Sequence, residues 1–109
     1  PKYLARLAQL VENYQTAASR HLATSDLSDA AQAVAAARIG TLLIEADREI
    51  PGRLDAVTGR ISPARLADPE VDDMLDDLAE AVLRTGGEVV VVPAERMPTT
   101  SGLAATFRH

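Results

Sequence analysis

The chain has 109 residues, 47% of them hydrophobic, and a formal net charge of −5. That length and apolar content fit one domain with one packed core. A single lysine, Lys2, and scattered arginines exclude the clustered basic surface that general nucleic-acid binding requires.

The absence of cysteine excludes a disulfide scaffold, a thiolate metal site and a cysteine nucleophile. Tyr3, Tyr14 and Phe107 are the only aromatics. A core of small aliphatics suits helices packed closely on a buried sheet, not an aromatic-lined ligand pocket or a base-stacking surface. No apolar run approaches the ~20 residues that span a bilayer, and the start carries no signal-peptide pattern. The expectation is no membrane association and a cytoplasmic location. The chain opens at Pro1 almost directly in a helical pattern, so it reads as a fragment of a longer protein. Residues 1–109 read as one domain, with a leading helix over 1–26 and an α/β core over 27–109.

In chain order, Leu4, Leu7, Val11, Tyr14 and Ala18 recur at three- and four-residue steps, with Leu10 broadening the stripe. They predict a helix from Tyr3 to about Ala23. Asp26 has N-cap character for a second helix, supported by Asp29. Its apolar face is Leu27, Ala30, Ala31, Val34 and Ala35; it ends near Arg38, with Gly40 as its stop. Thr41 to Glu45 predicts a short buried strand. Residues 46–68 hold Pro51-Gly52, Thr58-Gly59 and Pro63, which mark an excursion with a small hairpin around Val57 to Ile61.

Asp68-Pro69-Glu70 opens the predicted third helix. Val71, Met74, Leu75, Leu78, Val82 and Leu83 form its buried stripe. Asp72, Asp73, Asp76, Asp77 and Glu80 form a solvated face rather than a calcium loop, whose Asp and Gly positions are missing. Gly86-Gly87 supplies a helix stop. Glu88 to Val92 predicts a strand buried on both faces. A loop over Pro93 to Gly102 and a strand over Leu103 to Phe107 complete the order. Strands separated by helices imply a parallel or mixed sheet.

No catalytic constellation stands out. No serine lies in a G-x-S-x-G elbow, and no phosphate loop or dinucleotide fingerprint occurs. His21, near the end of the first helix, and His109 lack companions for a metal site. No enzyme activity, metal or cofactor is therefore expected. Two polar loops follow the carboxyl ends of the two central strands, where α/β domains place ligands. The first holds Glu45, Asp47, Arg48 and Glu49; Glu45 and Asp47 from it, and Glu95, Arg96, Met97, Thr99, Thr100 and Gly102 from the second, are the candidate binding residues. The plainer reading of the same residues is a polar rim held by ion pairs.

Two stretches carry a resemblance: R-I-G-T-L-L-I-E-A-D-R and L-A-E-A-V-L-R-T-G-G-E-V-V-V-V-P-A-E-R-M-P-T-T-S-G-L-A-A-T-F-R. Over roughly residues 27–109 the chain resembles the C-terminal domain of archaeo-eukaryotic release factors and Pelota, and within that superfamily the bacterial (baeRF) members. The resemblance implies a three-layer α/β/α sandwich with a mixed sheet, a fold shared with kink-turn-binding ribosomal proteins. It implies a third domain that engages a translational GTPase or the ribosome, with the catalytic G-G-Q in a central domain that these residues do not include. Gly86-Gly87 is followed by Glu88, so it is no G-G-Q. Kink-turn binders carry a G-N-E type motif where this chain reads Ser25-Asp26-Leu27-Ser28-Asp29. Direct nucleic-acid binding is thus not expected. The leading expectation is a non-catalytic protein-interaction domain of a ribosome-associated, release-factor-like bacterial protein. The alternatives are a kink-turn RNA-binding module and an enzyme domain with a small-molecule site between the two loops.

Overall fold

The computed structural model describes residues 1–64 and 72–109. Helix α1 spans Lys2–Ser19 and buries Leu7, Leu10 and Tyr14. It ends earlier than its periodicity predicts. His21 adopts a left-handed φ of 60°, and the Leu22 N–H turns back to the Ala17 carbonyl at 2.8 Å. His21 therefore lies beyond the helix, in the turn. The next residues, Ala23–Thr24, form a short strand, β1. Two residues are too few for a periodic signal, and the partner strand lies far along the chain.

Helix α2 spans Leu27–Ala35, with Asp26 as the N-cap. The Asp26 carboxylate accepts from the Asp29 N–H at 3.0 Å, satisfying one of the free donors at the helix start. The stop is Ala37, at φ 56°, rather than Gly40. Strand β2 begins early and spans Ile39–Glu45, with Gly40 inside it. The register with its neighbour shifts between Ile39 and Thr41, so this glycine marks a β-irregularity instead of a helix end.

Helix α3 spans Met74–Arg84 and strand β5 spans Glu88–Val92. Strand β6 spans Leu103–Phe107. The four-stranded sheet has the order β1-β6-β2-β5. β2 and β5 run parallel, with Thr41 opposite Glu88 and Glu45 opposite Val92. β6 runs antiparallel to both β2 and β1. The sheet is therefore mixed, as expected.

Strand alternation splits the core into two layers. Leu43, Val92 and Ala104 face α1, meeting Leu7, Leu10 and Tyr14. Leu42, Ile44, Leu103 and Ala105 face the opposite way, meeting Val34 of α2 and Leu75, Leu78 and Val82 of α3. This is the α/β/α sandwich. Ala30 and Ala33 let α2 lie close against its neighbours.

Asp73 caps α3, accepting from the Leu75 N–H at 3.0 Å and the Ile50 N–H at 2.9 Å. The expected opening at Asp68-Pro69-Glu70, and Val71 of the stripe, lie outside the described residues. Asp72 precedes the helix rather than lying on its polar face. Met74, Leu75, Leu78 and Val82 are buried as expected, but Leu83 is 60% exposed. Leu83 follows Val82 by one residue, about 100° around the axis and off the buried stripe. The helix closes as expected: Gly86 takes φ 84°, its N–H reaches the Leu83 carbonyl, and the Gly87 N–H reaches that of Val82. That pair of bonds is a Schellman cap. Glycine is required at the second position too, because a Cβ on Gly87 would lie 2.6 Å from Val82 Cγ1.

Two further expectations are corrected. β5 is not buried on both faces: it is an edge strand, and Val91 is 55% exposed. The excursion does form a hairpin, but its strands are β3 (Gly52–Leu54) and β4 (Ile61–Pro63). Val57 to Arg60 is the connecting turn. There the Asp55 carboxylate accepts from the Val57 and Thr58 N–H groups at 2.8 and 3.1 Å, and Gly59 takes φ 76°. Val57, 87% exposed, sits at its tip.

These burial differences give an expected outcome. Leu78→Ala will lower unfolding free energy by about 3 kcal/mol in urea titrations, the usual cost of an emptied core site. Leu83→Ala will change it by less than about 0.5 kcal/mol.

Candidate functional site

The carboxyl ends of the parallel pair β2 and β5 release the two loops that the sequence nominates. The structure divides their residues into two groups. The first is a knot around Arg48. Its Nη1 donates to Glu45 Oε2 at 3.4 Å and to the Thr100 carbonyl at 3.3 Å. The Glu45 N–H donates to the Gly102 carbonyl at 2.9 Å, and the Ala46 N–H to that of Val92 at 2.9 Å. Gly102 is buried at φ 96°, and a Cβ there would meet Arg48 Cγ at 3.1 Å. Asp47 makes the tight turn at φ 62° and is exposed. Thr99 Oγ1 donates to the Leu103 carbonyl at 2.7 Å, and the Ser101 hydroxyl binds the same carbonyl at 3.2 Å. In this group the polar atoms are spent on holding the loops together.

The second group faces α1. Glu95 and Arg96 belong to a 3-10 turn over Ala94–Arg96. They line a groove of about 480 Å³ with Leu7, Ala8, Val11, Glu12 and Gln15 of α1. Met97, half-buried, packs on the same layer of the core. Glu45 and Glu95 thus belong to different surroundings: one is tied to Arg48, the other lines the α1 groove. The sequence pattern picks out Glu45 and Asp47, whereas the geometry makes Arg48 the hub. The α1 side of the groove had no sequence signal, because Ala8, Glu12 and Gln15 read as an ordinary solvated helix face.

Among the described residues no group of three or more His, Cys, Asp or Glu side chains is placed to hold a metal ion. No helix there is long and apolar enough to cross a membrane.

A second concavity, about 450 Å³, lies between the β3–β4 hairpin and α3. Arg53, Leu54, Asp55, Asp77, Glu80 and Arg84 are among its walls. Burial pushes the Asp77 carboxyl above the usual carboxylate range; the Leu54 N–H opposes this, and Asp72, Glu80 and Asp73 add like charge. The two N–H donors from Val57 and Thr58 hold the Asp55 carboxyl below that range.

No family model and no curated protein matches the sequence. Solved structures do. An archaeal translation termination factor, aRF1, superposes with a TM-score of 0.63 at 20% identity, covering 96% of this chain and 26% of its own. Archaeal Pelota, from a model of the ribosome-bound complex with ABCE1, gives 0.62 at 23% identity, covering 96% and 27%. The C-terminal domain of a peptide chain release factor from Methanosarcina mazei gives 0.69 at 18% identity, covering 97% and 83%. The fold is that of the release factor and Pelota C-terminal domain. The chain spans about a quarter of the length of the first two.

Within this release-factor-type fold, the start of α2 is acidic and internally satisfied. Thr24 Oγ1 lies 3.4 Å from Asp29 Oδ2 and accepts from the Asp26 N–H at 3.1 Å, while Asp26 caps the helix.

Two outcomes follow. Gly102→Ala will cost about 1–2 kcal/mol in urea titrations, because it imposes a Cβ on a left-handed residue, and Arg48→Ala will speed amide exchange at Glu45. For Asp77, a raised folded-state pKa means that the native state binds more protons than the unfolded chain in the window just above the usual carboxylate range. Stability therefore falls as pH rises through that window. Asp77→Asn will unfold at higher urea than the parent chain at pH 7, and the advantage will shrink as pH falls through the window just above the usual carboxylate range.

Proposed function

We propose that this chain is a non-catalytic protein-interaction domain, the third domain of a ribosome-associated, release-factor-like bacterial protein of the baeRF kind. The observation that carries this reading is the superposition of nearly the whole chain on a release factor C-terminal domain and on about a quarter of aRF1 and of Pelota. The P-A-E-R-M-P-T-T-S-G-L-A-A motif of residues 93–105 supports it. So does the geometry, because the polar groups at the strand ends are committed to fixing loops rather than converging on a reactive centre. In this reading the contact surface is the α1 groove with Glu95 and Arg96, beside the loop that ends at Gly102. The partner is the ribosome or a translational GTPase. The protein works in the cytoplasm, and any peptidyl-tRNA hydrolysis belongs to another domain of the parent.

The deciding measurement is co-sedimentation of the full-length parent with ribosomes, with and without residues 1–109. Ribosome association will fall when these residues are deleted, and Glu95→Arg combined with Arg96→Glu will reproduce part of the loss. Equal sedimentation of the intact and shortened proteins would overturn the proposal.

A further inference from the structure

Strand β5 leaves one edge unpaired among the described residues, since it is the last strand of the sheet. Such edges are normally blunted by lysine, proline or a bulge. This one is not. Its sequence is Glu88 followed by four valines, and Glu88 is already paired with Arg6 of α1. Strand alternation sends Val90 and Val92 toward α1, so Val89 and Val91 face the α3 layer. Val89 is half-buried there, whereas Val91 is 55% exposed.

The neighbouring flank of α3 continues this surface. The helix turns Asp77 toward the hairpin, where it lines a concavity with Arg53, Leu54 and Asp55, and Ala81 into the core. Residues on the opposite flank, Asp76, Ala79 and Leu83, therefore project toward the β5 side. Ala79 and Leu83 share a shallow trough with the carboxylates of Asp72, Asp73, Asp76, Asp77 and Glu80, which runs over the outer face of α3. α3 packs beside β5, with Ala79 and Val89 on the same core cluster, so the open edge and this acidic trough belong to one layer of the molecule.

We propose that this edge and trough dock an extended, basic segment of a partner protein, which adds to β5 as a fifth strand. The proposal deepens the interaction-domain reading and rests on it. Main-chain hydrogen bonds to Glu88–Val92 supply affinity, as in other strand additions. Apolar side chains on one face of the incoming strand cover Val91 and Leu83. Lysines or arginines between or beside them reach Asp72, Asp76 and Glu80. The charge pattern selects this occupant over a second copy of the chain. Two copies joined edge to edge through β5 would place both α3 helices on one side of a continuous sheet. Their acidic troughs would then repel.

The test is a titration of the 109-residue chain, followed by backbone amide NMR, with a short capped peptide that alternates lysine and valine. Shifts will concentrate in Glu88–Val92 and in the 79–83 turn of α3. Val91→Lys will abolish them, and Leu83→Asp will weaken binding about tenfold, the scale of a lost interface anchor. The amide spectrum of each variant away from the edge reports that it is folded. A lysine–glycine peptide of equal charge and a glutamate–valine peptide will not bind. Equal binding by the lysine–glycine peptide would overturn the proposal, because charge alone would then suffice. Shifts centred on the α1 groove, or no binding, would also overturn it. So would a dimer in sedimentation that Val91→Lys dissolves. The titration contains no ribosome, so this proposal and the ribosome reading fail separately.

Discussion

Everything in this molecule is organised by the burial of β2. It pairs with β6 on one edge and β5 on the other, and helices cover both of its faces. Leu42 and Ile44 supply one layer of the core, Leu43 the other. Its pairing is also what makes the sheet mixed, because β5 meets it in parallel and β6 in the opposite sense. A strand so enclosed has no backbone group left for water, so each must be matched by a neighbour. Both flanking strands, and the helices that return the chain to them, follow from that demand.

The same demand explains the candidate site. Where β2 and β5 end together, their last backbone groups need partners outside the ladder. The Gly102 carbonyl takes the Glu45 N–H, and the Val92 carbonyl takes the Ala46 N–H. Arg48 then ties the two loops. A polar cluster at strand ends can thus be the continuation of sheet closure by side chains. What is left for recognition is the material beside it: the α1 groove on one face, the β5 edge with α3 on the other.

Elements with strong local grammar could be read from the sequence. The Asp26 cap, the valine run of β5, the Gly86-Gly87 stop and the final strand are written in adjacent residues. The misreadings share a different cause. Val91 and Leu83 look like core, but whether a valine strand is central or at an edge depends on which strands arrive beside it. β1 owes its existence to residues 103–107, about eighty positions away, and leaves no mark of its own. Gly40 reads locally as a helix stop, because the register shift in β2 beside it is set by the partner strand. At the candidate site, the sequence put Glu45 and Glu95 in the loops after β2 and β5. Their separation into different surroundings is a tertiary fact, set by where α1 lies. Arg48 was visible in the first loop, but its role as hub depends on the Thr100 carbonyl.

The position of β6 has a kinetic side. This strand lies between β1 and β2, although it comes from the last few residues described. Until it inserts, β1 has no partner and one edge of β2 is bare. A chain emerging from a ribosome would hold its helices and the β2–β5 pair in an unfinished state, with Leu42 and Leu43 incompletely covered. The sheet then closes in one late step that joins residues far apart in sequence. With β2 and β5 already paired, that step closes only the loop between Val92 and Leu103, so little further chain entropy is spent. The final strand therefore completes the sheet, and a chain without residues 103–107 leaves one edge of β2 bare.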